Sequence, residues 1–456
     1  MNRFTRGRRR SAPLPTPRRG LRLDDRGVAK YFHGRTEEIS LFESLCHSAM
    51  ESNGGAMLII QGPPGAGKTA LLHECAQHAR DWGWQVAGIP HDAIWNKRSL
   101  RNSLKPPRFW TNFDLQSISA NIAGFGGGGG WGLRETAPLD LLQRHVRKTE
   151  KGVLLVLDEA QALYSADVTG SEKNAAVITL DAIHNGRLGK PVVMLAGGLG
   201  HTHIGLSRFE ISRAGSEDLV NLSHIDAESE RAIIGDWLRI EGRAKGDAKH
   251  WVDAIAHETE GWPQHISAYG QRAAQQLRKD NGRLTSGGLT AVLVTGREDK
   301  SRFYEHRLGE IGRYERPLLG LLVVCCGRNA AWAHVHLTAA LSAIEGYLEA
   351  SPHQTVDTMI QRGVLAATTT RKYHIPIPSM ERYLVGYARD LEQEDGVWVQ
   401  EIVNDVVAAL DKAKYKPAPD RGSPVLSGRL RDVLAQMVAV PALHNRGTPS
   451  EAFPAE

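Results

Sequence analysis

The chain has 456 residues, of which 41% are hydrophobic and 23% are charged, a composition typical of globular proteins with two or three domains. No apolar run approaches the roughly 20 residues that cross a bilayer, and the arginine-rich start lacks the apolar core of a secretory signal. The four cysteines are too few and too scattered for a disulfide framework or a zinc site. These features exclude membrane-spanning and disulfide-stabilised secreted proteins, and they indicate a reducing compartment, the cytoplasm.

The net charge of +5 comes from the first twenty residues, which contain seven arginines and no acid. Subtracting these seven charges leaves −2 on the rest of the chain. The interleaved prolines predict a disordered basic tail over residues 1–27. Such a tail is either a solvated extension or a contact to DNA phosphates without sequence preference.

After the tail, short apolar runs alternate with helical stretches. We expect Thr36 to be the N-cap of the first helix. The alternation predicts a three-layer α/β core with a parallel sheet over residues 28–223. The predicted strands are residues 56–60, 84–89, 153–157 and 192–196.

Five consecutive glycines, Gly126 to Gly130, lie between the second and third predicted strands. A run of this kind is costly to hold in one conformation, so we expect a mobile loop over residues 124–132. Phe125 and Trp131 beside it are candidates for contact with a partner protein or DNA.

From Ile225 onward the pattern is helical. Asp226 can cap one helix and Pro263 can open another, which predicts a helical lid over residues 224–290 that ends in a linker at 281–288. Two short strands follow three further helices, an order that predicts a winged-helix domain over residues 300–392. A helical and partly disordered extension is expected over 393–456. The later elements are helices at 317–326, 337–348, 355–361 and near 430–440, and strands at 364–370 and 371–377.

Residues 62–69, Gly-Pro-Pro-Gly-Ala-Gly-Lys-Thr, fit the P-loop pattern G-x-x-x-x-G-K-[ST] throughout. The glycines allow backbone N–H groups to turn inward around phosphates, and the helix that follows adds positive potential. We expect Lys68 to reach the β- and γ-phosphates and Thr69 to ligate Mg²⁺. ATP and Mg²⁺ are therefore the predicted cofactors. The predicted nucleotide contacts here are Gly62, Pro63, Pro64, Gly65, Ala66, Gly67, Lys68, Thr69 and Ala70.

The apolar strand 153–157 ends in two acids, Asp158 and Glu159. In parallel sheets ligands bind at the carboxyl ends of the strands, where these acids are expected. Asp158 would hold Mg²⁺, and Glu159 would be the general base that activates water. Solvated acids at a strand end are the alternative, but the position ninety residues after Lys68 favours the chemical interpretation.

Three segments together resemble the AAA+ and STAND ATPases, in particular origin initiators, transposition regulators and STAND switches. They are Phe32-His33-Gly34-Arg35-x-x-Glu38-Ile39, the P-loop, and Leu157-Asp158-Glu159-Ala160-Gln161. The resemblance covers about residues 28–385 and implies an AAA+ core followed by a lid and a winged helix. It also implies that the segment before the P-loop surrounds the adenine. The residues given that role are Tyr31, Phe32, Gly34 and Arg35.

Gly261-Trp262-Pro263 resembles the GxP motif of STAND lids, which implies that Pro263 lies near the base; an ordinary helix start is the alternative. The resemblance also implies a histidine near the phosphates, a role for His374 unless that ring is simply packed. The arginine finger implied for AAA+ proteins is Arg208, with Arg213 as the alternative, and Arg272 is the candidate second sensor. Either finger candidate, Arg208 or Arg213, could instead form a surface ion pair.

One departure from the family pattern concerns the fourth strand, which runs into Gly197 and Gly198 instead of a polar sensor residue. Sensing of the γ-phosphate then falls to His201, Thr202 or His203, or is absent.

The sequence thus predicts an ATP-hydrolysing molecular switch whose partner is a homo-oligomer or an effector protein. The alternative is a DNA-associated ATPase of transposition or replication initiation, which the basic tail favours. The acidic-leaning body and the candidate recognition helix at 355–363, whose only cation is Arg362, count against it.

Overall fold

The computed structural model describes residues 31–104, 138–200, 202–209, 219–309, 311–327, 330–367, 372–394 and 396–415. Several predictions fall outside these residues. They are the basic tail, the glycine-rich loop with Phe125 and Trp131, His201, Arg213, and the helix near 430–440.

Among the described residues, five strands form the central sheet in the order β2-β3-β4-β1-β5. Their parallel pairing confirms the prediction from the alternation of strands and helices, whereas the strand order was not predicted. The edge strand β5 pairs only with β1, and β3 lies next to β4. The strands are β1 (Gly55–Gln61), β2 (Gln85–Gly88), β3 (Val153–Leu157), β4 (Val192–Gly198) and β5 (Leu219–Asn221).

The sheet is the middle of three layers, because alternate residues of β1 pack against helices on opposite faces. Leu58 and Ile60 pack in one cluster with α1 and α2, whereas Met57 and Ile59 pack in another with α4 and α6. A period of two along a buried strand produces this division. The helices of the core are α1 (Thr36–Ser52), α2 (Lys68–Asp81), α3 (Lys97–Ser103), α4 (Pro138–Val146), α5 (Ala162–Ser165), α6 (Gly170–His184) and α7 (Thr202–Ser207), with a 3₁₀ turn at His91–Ile94.

The first helix begins one residue earlier than predicted. Thr36 is already helical, and the preceding Arg35 has a left-handed backbone with φ of 56° and makes no side-chain cap. The prediction of Thr36 as N-cap was therefore wrong, because the chain turns at Gly34 and Arg35 before it enters the helix.

A second helical unit follows the sheet and has its own core, in which Trp237, Trp251 and Tyr269 are buried. Asp226 caps its first helix by accepting a hydrogen bond from the Ser229 N–H, and Pro263 opens the third, as predicted. Its helices are α8 (Ala227–Asp236), which continues into a π-helical turn at Trp237–Glu241, α9 (Lys249–Thr259) and α10 (Pro263–Lys279).

The helix α11 (Ser286–Leu308) begins inside the predicted linker and was not predicted. Its buried positions include Gly288, Gly296 and Lys300 beside Leu289 and Tyr304. Small and charged residues at core positions remove the apolar period from which a helix is predicted. Lys300 is tolerated because its ammonium donates to the carboxylate and the main-chain oxygen of Glu258, at 3.2 and 3.0 Å.

The C-terminal region contains helices around a small antiparallel sheet of order β6-β8-β7. The three helices and two strands up to residue 377 follow the predicted order, with shorter strands, whereas the strand β6 and the helix α15 were not predicted. The winged-helix assignment stays a prediction. The elements are α12 (Glu315–Cys326), β6 (Trp332–Ala333), α13 (His334–Ser342), a 3₁₀ turn at Glu345–Tyr347, α14 (Pro352–Gln361), β7 (Ala366–Ala367), β8 (Lys372–His374), α15 (Pro378–Glu394) and α16 (Gly396–Lys412).

The C-terminal region shares a continuous apolar cluster with one face of the central sheet. Ile60, Leu72 and Trp262 belong to the same cluster as Leu318 and Leu384. No helix among the described residues has the length and apolar character to cross a membrane.

The close crossing of α12 and α15 predicts a strong effect of one added methyl group. A Cβ on Gly320 would lie 2.2 Å from the Leu384 main-chain oxygen, which cannot move without shifting α15. We expect Gly320→Ala to lower the free energy of unfolding by about 1–3 kcal/mol, because overpacking forces the backbone to shift.

Gly235→Ala is the matched control, since Gly235 lies in α8 and nothing within 4 Å meets its added Cβ. That change should raise stability by roughly 0.5–1 kcal/mol through helix propensity. Urea denaturation of both variants measures the contrast, and equal stabilities would contradict the close crossing.

Candidate functional site

The loop 62–67 connects β1 to α2 and depends on two left-handed glycines. Gly65 and Gly67 have φ of 87° and 89°, a region that residues with a Cβ rarely adopt. The Ala66 N–H donates to the Pro63 oxygen at 3.2 Å, and α2 begins directly after the loop at Lys68. The backbone thus forms a tight cradle at a helix N-terminus, an arrangement that favours anions.

Lys68 lies buried inside this cradle. Its ammonium donates to the Gly62 and Pro63 oxygens at 2.9 and 3.0 Å. Burial lowers the pKa of Lys68 to about 8, while the negative charges of Glu159 and Asp158 act in the opposite direction. The lysine therefore lies within electrostatic reach of both predicted acids.

The strand order explains how the acids reach the loop. Asp158 and Glu159 follow β3, and only β4 separates that strand from β1. The Thr69 hydroxyl donates to the Asp158 carboxylate at 3.0 Å. Burial, followed by the charge of Glu159, raises the pKa of Asp158, and the hydrogen bonds from the Glu159 N–H and Thr69 act against this rise. The structure thus brings Lys68, Thr69 and both acids together.

Glu159 has an unusual backbone for a residue with a side chain, with φ of 55°. Its N–H donates to the Asp158 carboxylate at 2.9 Å, and its own carboxylate accepts from the Gln161 amide. Left-handed backbone in non-glycine residues concentrates at functional sites. Gln161 belongs to the segment that resembles the AAA+ and STAND ATPases, but the sequence analysis gave it no role in the site.

Two positions at the end of β4 are glycine for a steric reason, because a Cβ at either one would clash with its neighbours. A Cβ on Gly197 would lie 3.3 Å from Asp158 Oδ1 and 2.7 Å from Leu72. A Cβ on Gly198 would lie 2.1 Å from the Thr202 hydroxyl and 2.6 Å from Gln161 Oε1. A side chain at Gly197 would crowd Leu72 and Asp158, and one at Gly198 would clash with Thr202 and Gln161, so this strand end has no room for a polar sensor side chain.

Thr202 and Arg208, the sensor and finger candidates whose side chains the structure describes, both donate to main-chain oxygens. The buried Thr202 hydroxyl donates to the Leu199 oxygen at 2.6 Å. The side chain of His203 lies outside the described residues. Arg208 donates to the Leu163 oxygen at 3.1 Å and is exposed.

Residues 31–35 connect the sheet core to the second helical unit. The Tyr31 ring packs edge-on against Trp237 with centroids 5.3 Å apart, and its hydroxyl donates to Glu241 at 3.2 Å. Phe32 packs against the large cluster of the sheet. A Cβ on Gly34 would lie 2.6 Å from the Ser229 hydroxyl, so α8 approaches the main chain closely.

The Arg35 guanidinium fixes the P-loop from outside. Its Nη2 donates to the Ala66 oxygen at 3.3 Å and to the Ser223 oxygen at 2.5 Å, and Nη1 donates to Glu38 at 3.2 Å. Burial lowers the pKa of Arg35, and the charge of Glu38 opposes that effect. One side chain therefore ties together α1, the P-loop and the segment after β5.

The N-terminus of α10 contacts the P-loop from another side. The Gln264 N–H donates to the Gly65 oxygen at 3.2 Å. Pro263 lies 3.6 Å from the position of a Cβ on Gly67. The structure thus brings Pro263 to the P-loop, while its predicted place near the base stays a prediction.

Two other candidates have partners elsewhere. Arg272 forms a two-point ion pair with Asp299, at 2.7 and 3.1 Å. His374 contacts the Ala366 oxygen at 3.1 Å across the small sheet, and burial lowers the pKa of His374. The contact of His374 favours the alternative of a packed ring, and the second-sensor role of Arg272 stays a prediction.

The residues present fit a nucleoside triphosphate with Mg²⁺. The glycine cradle, the buried ammonium and the helix N-terminus form an anion site, and a hydroxyl with an adjacent carboxylate matches the oxygen ligands of Mg²⁺. Among the described residues, no group of three or more His, Cys, Asp or Glu side chains is placed to hold a metal ion. Mg²⁺ commonly uses one or two carboxylates and substrate phosphates instead of such a cluster.

Residues 31–171 match the family model of the AAA ATPase domain. The fold is similar to that of a Walker-type ATPase of Pyrococcus abyssi, with a TM-score of 0.50 and 14% identity over 79% of this chain and 97% of that chain. The ORC2 protein of Aeropyrum pernix, in ADPNP and ADP complexes, gives a TM-score of 0.46 and 14% identity over 84% of this chain and 96% of that chain. No curated protein matches the sequence.

The three-way contact of Arg35 predicts a large cost for its removal. Arg35→Ala should lower the free energy of unfolding by about 1.5–3 kcal/mol, because hydrogen bonds from a charged, largely buried guanidinium to two main-chain oxygens are lost. Arg187→Ala removes an arginine that is 68% exposed and paired with Asp181, so it should change stability by less than about 0.5 kcal/mol. Urea denaturation of both variants tests this difference, and a neutral Arg35→Ala would contradict it.

Proposed function

Because this chain contains a P-loop AAA+ ATPase domain, we propose that it binds and hydrolyses ATP as a molecular switch of the AAA+/STAND type in the cytoplasm. The single observation that carries the proposal is the contact between the P-loop and the end of β3. There the Thr69 hydroxyl donates to Asp158 at 3.0 Å, and Lys68 lies within electrostatic reach of both acids.

In this proposal the loop binds the triphosphate with main-chain N–H groups and Lys68. The lysine exchanges its contacts with the Gly62 and Pro63 oxygens for phosphate oxygens, which supply full negative charges in place of carbonyl dipoles. The other proposed loop contacts come from the segment between Pro64 and Ala70. The main-chain groups are fixed before binding, so little reorganisation is needed.

Thr69 and Asp158 are the proposed holders of Mg²⁺, which when bound neutralises charge on the β- and γ-phosphates. Glu159 is the proposed general base that orients water and accepts its proton. Its exposed carboxylate accepts a hydrogen bond from the Gln161 amide, and its backbone has the left-handed conformation that restricts the main chain at this position. Both features support a fixed position for Glu159 as the general base.

The adenine-binding residues and the arginine finger are further parts of the proposal. Tyr31, Phe32, Gly34 and Arg35 lie between the sheet core and α8, and Pro263 touches the loop, which supports a shared adenine site. Arg208 is the proposed finger. It is exposed beside α5, so it would act on the site of a second copy, which makes a homo-oligomer the proposed assembly.

The switch function is supported by what packs on the loop. The Gln264 main chain at the start of α10 touches Gly65, and a Cβ on Gly363 after α14 would lie 2.5 Å from Pro64 Cδ. A change in the loop upon hydrolysis would therefore act on both later regions. An effector protein would then recognise the position that the C-terminal region takes in each nucleotide state.

The alternative, a DNA-associated ATPase of transposition or replication initiation, has support from the seven arginines near the N-terminus. The predicted recognition helix α14 supports it less. Its end lies against the P-loop, where the Arg362 oxygen accepts from Arg307 at 3.1 Å.

Two substitutions separate binding from hydrolysis. Lys68→Ala should abolish ATP binding, because the phosphates lose their buried cation. Glu159→Gln should retain binding and lower the hydrolysis rate by about 10²–10⁴-fold, because an amide accepts no proton from water. The measurements are titration with a fluorescent ATP analogue and phosphate release.

Glu150→Gln is the control, since Glu150 is exposed just before β3 and its change should leave both quantities unaltered. Normal turnover in Glu159→Gln would place the base elsewhere, and normal affinity in Lys68→Ala would remove the site assignment.

The lowered pKa of Lys68 predicts a pH dependence of binding. With a pKa of about 8, the ammonium is mostly charged at pH ~7 and mostly neutral at pH ~9. Phosphate groups lose their second proton near pH ~6, so the ligand keeps its charge in this window. Affinity for ADP should be constant up to pH ~7.5 and fall by up to about tenfold per unit above pH ~8. Titrations with fluorescent ADP across this range measure it, and a flat profile to pH ~9.5 would contradict the prediction.

A further inference from the structure

Two nitrogen donors beside the P-loop are buried without a hydrogen-bond acceptor, Trp262 Nε1 and Arg307 Nε. Trp262 is fully buried, and its Nε1 lies 2.9 Å from the position of a Cβ on Gly65. A buried donor that lacks an acceptor costs about 1–3 kcal/mol, and native proteins contain few of them. Two such donors next to a phosphate-binding loop indicate a role in holding an anion.

Arg307 lies at the end of α11 and reaches the loop from the C-terminal side. A Cβ built on Gly363 would lie 3.7 Å from the Arg307 Nη1 and 2.5 Å from the Pro64 Cδ. Arg307 and the P-loop residue Pro64 therefore both lie beside Gly363. The charge of Arg307 also acts to lower the pKa of Lys68. Arg307 and the buried Lys68 thus both lie beside the P-loop.

The described contacts of Arg307 include no carboxylate. Its Nη1 donates to the Arg362 oxygen at 3.1 Å, and its guanidinium carbon lies 4.6 Å from the centre of the Phe303 ring. Burial, followed by the charge of Arg362, lowers the pKa of Arg307 to about 10. Positive charge held in this way without a paired acid is stabilised by a bound polyanion.

We propose that Trp262 and Arg307 bind the terminal phosphate of a nucleoside di- or triphosphate held by the P-loop. The proposal rests on the proposed function, since it requires a nucleotide in this loop. Trp262 supplies a neutral donor from the start of α10, and Arg307 supplies a charged donor from the end of α11. Neither residue belongs to the P-loop or to the strand that carries the acids.

The same contacts would connect the nucleotide to the C-terminal region. The Arg362 oxygen positions Arg307, so the end of α14 helps to form the phosphate site. A buried chain of hydrogen bonds continues the connection, from His265 Nε2 to the Tyr304 hydroxyl at 2.9 Å and from there to the Ser379 hydroxyl at 2.6 Å. A bound phosphate should therefore fasten α10, α11, α14 and α15 together.

The test compares affinities for ADP and for tripolyphosphate, which carries phosphates without a base, by displacement of a fluorescent nucleotide. Arg307→Ala should weaken both ligands about 10- to 100-fold, and Arg307→Lys should recover part of the loss. Trp262→Phe keeps the buried ring, removes the N–H and should weaken both about 2- to 10-fold. Arg302→Ala on the same helix, 70% exposed and paired with Asp299, should bind both as the unaltered protein does.

Hydrogen–deuterium exchange provides a readout independent of affinity. ADP at saturation should slow exchange over residues 352–363 in the unaltered protein and in Arg302→Ala, and should have a much smaller effect in Arg307→Ala. If Arg307→Ala does not fold, Arg307→Lys and Trp262→Phe carry the same comparison.

Three results would overturn the proposal. One is unchanged affinity for ADP and tripolyphosphate in both Arg307→Ala and Trp262→Phe while Lys68→Ala abolishes binding, which would leave the proposed function intact. Another is loss of ADP binding with tripolyphosphate binding retained, which would assign these residues to the base or to packing. The last is absence of nucleotide binding in the unaltered protein, which would remove the proposed function as well.

Discussion

The contact between the Thr69 hydroxyl and the Asp158 carboxylate, at 3.0 Å, is the interaction around which the rest of the site is arranged. It requires β3 to lie one strand away from β1, and it requires β4 between them to end without side chains. Gly197 and Gly198 meet that second requirement, because a Cβ at either position would contact Asp158, Thr202 or Gln161.

The P-loop is also the place where the three parts of the structure meet, through main-chain contacts in most cases. Arg35 binds the Ala66 oxygen, Gln264 binds the Gly65 oxygen, and the chain at Gly363 lies against Pro64. Since packed interfaces change between discrete arrangements, a loop held from three sides transmits a small displacement to several regions. This geometry gives the proposed switch a physical route that needs no additional domain.

Much of the fold and of the site core could be predicted from the sequence because its signals are local. The P-loop is eight consecutive residues, and β3 is five apolar residues followed by two acids, so neither depends on distant contacts. The helix α11 could not be predicted, since Gly296 packs on the Tyr269 ring and Lys300 is buried against Glu258. Gly296 and Lys300 can be recognised as core positions only once the contacts of α11 with α9 and α10 are known. Arg307 was missed for the same reason, because its neighbours Pro64, Arg362 and Gly363 are distant in the chain.

Buried ion pairs connect α9 and α11 in the second helical unit, and they affect how a displacement of the P-loop would be transmitted. Glu258 accepts from Arg297 at 3.0 Å and from Lys300 at 3.2 Å, and these hydrogen bonds and charges lower the pKa of Glu258 although burial alone would raise it. Breaking one partner of a buried pair leaves an uncompensated charge, so α9 and α11 should move as one body. Because α10 packs against both, a displacement at Gln264 would shift the whole unit instead of bending one helix. The end of α11 would move with it and carry Arg307 toward or away from the P-loop.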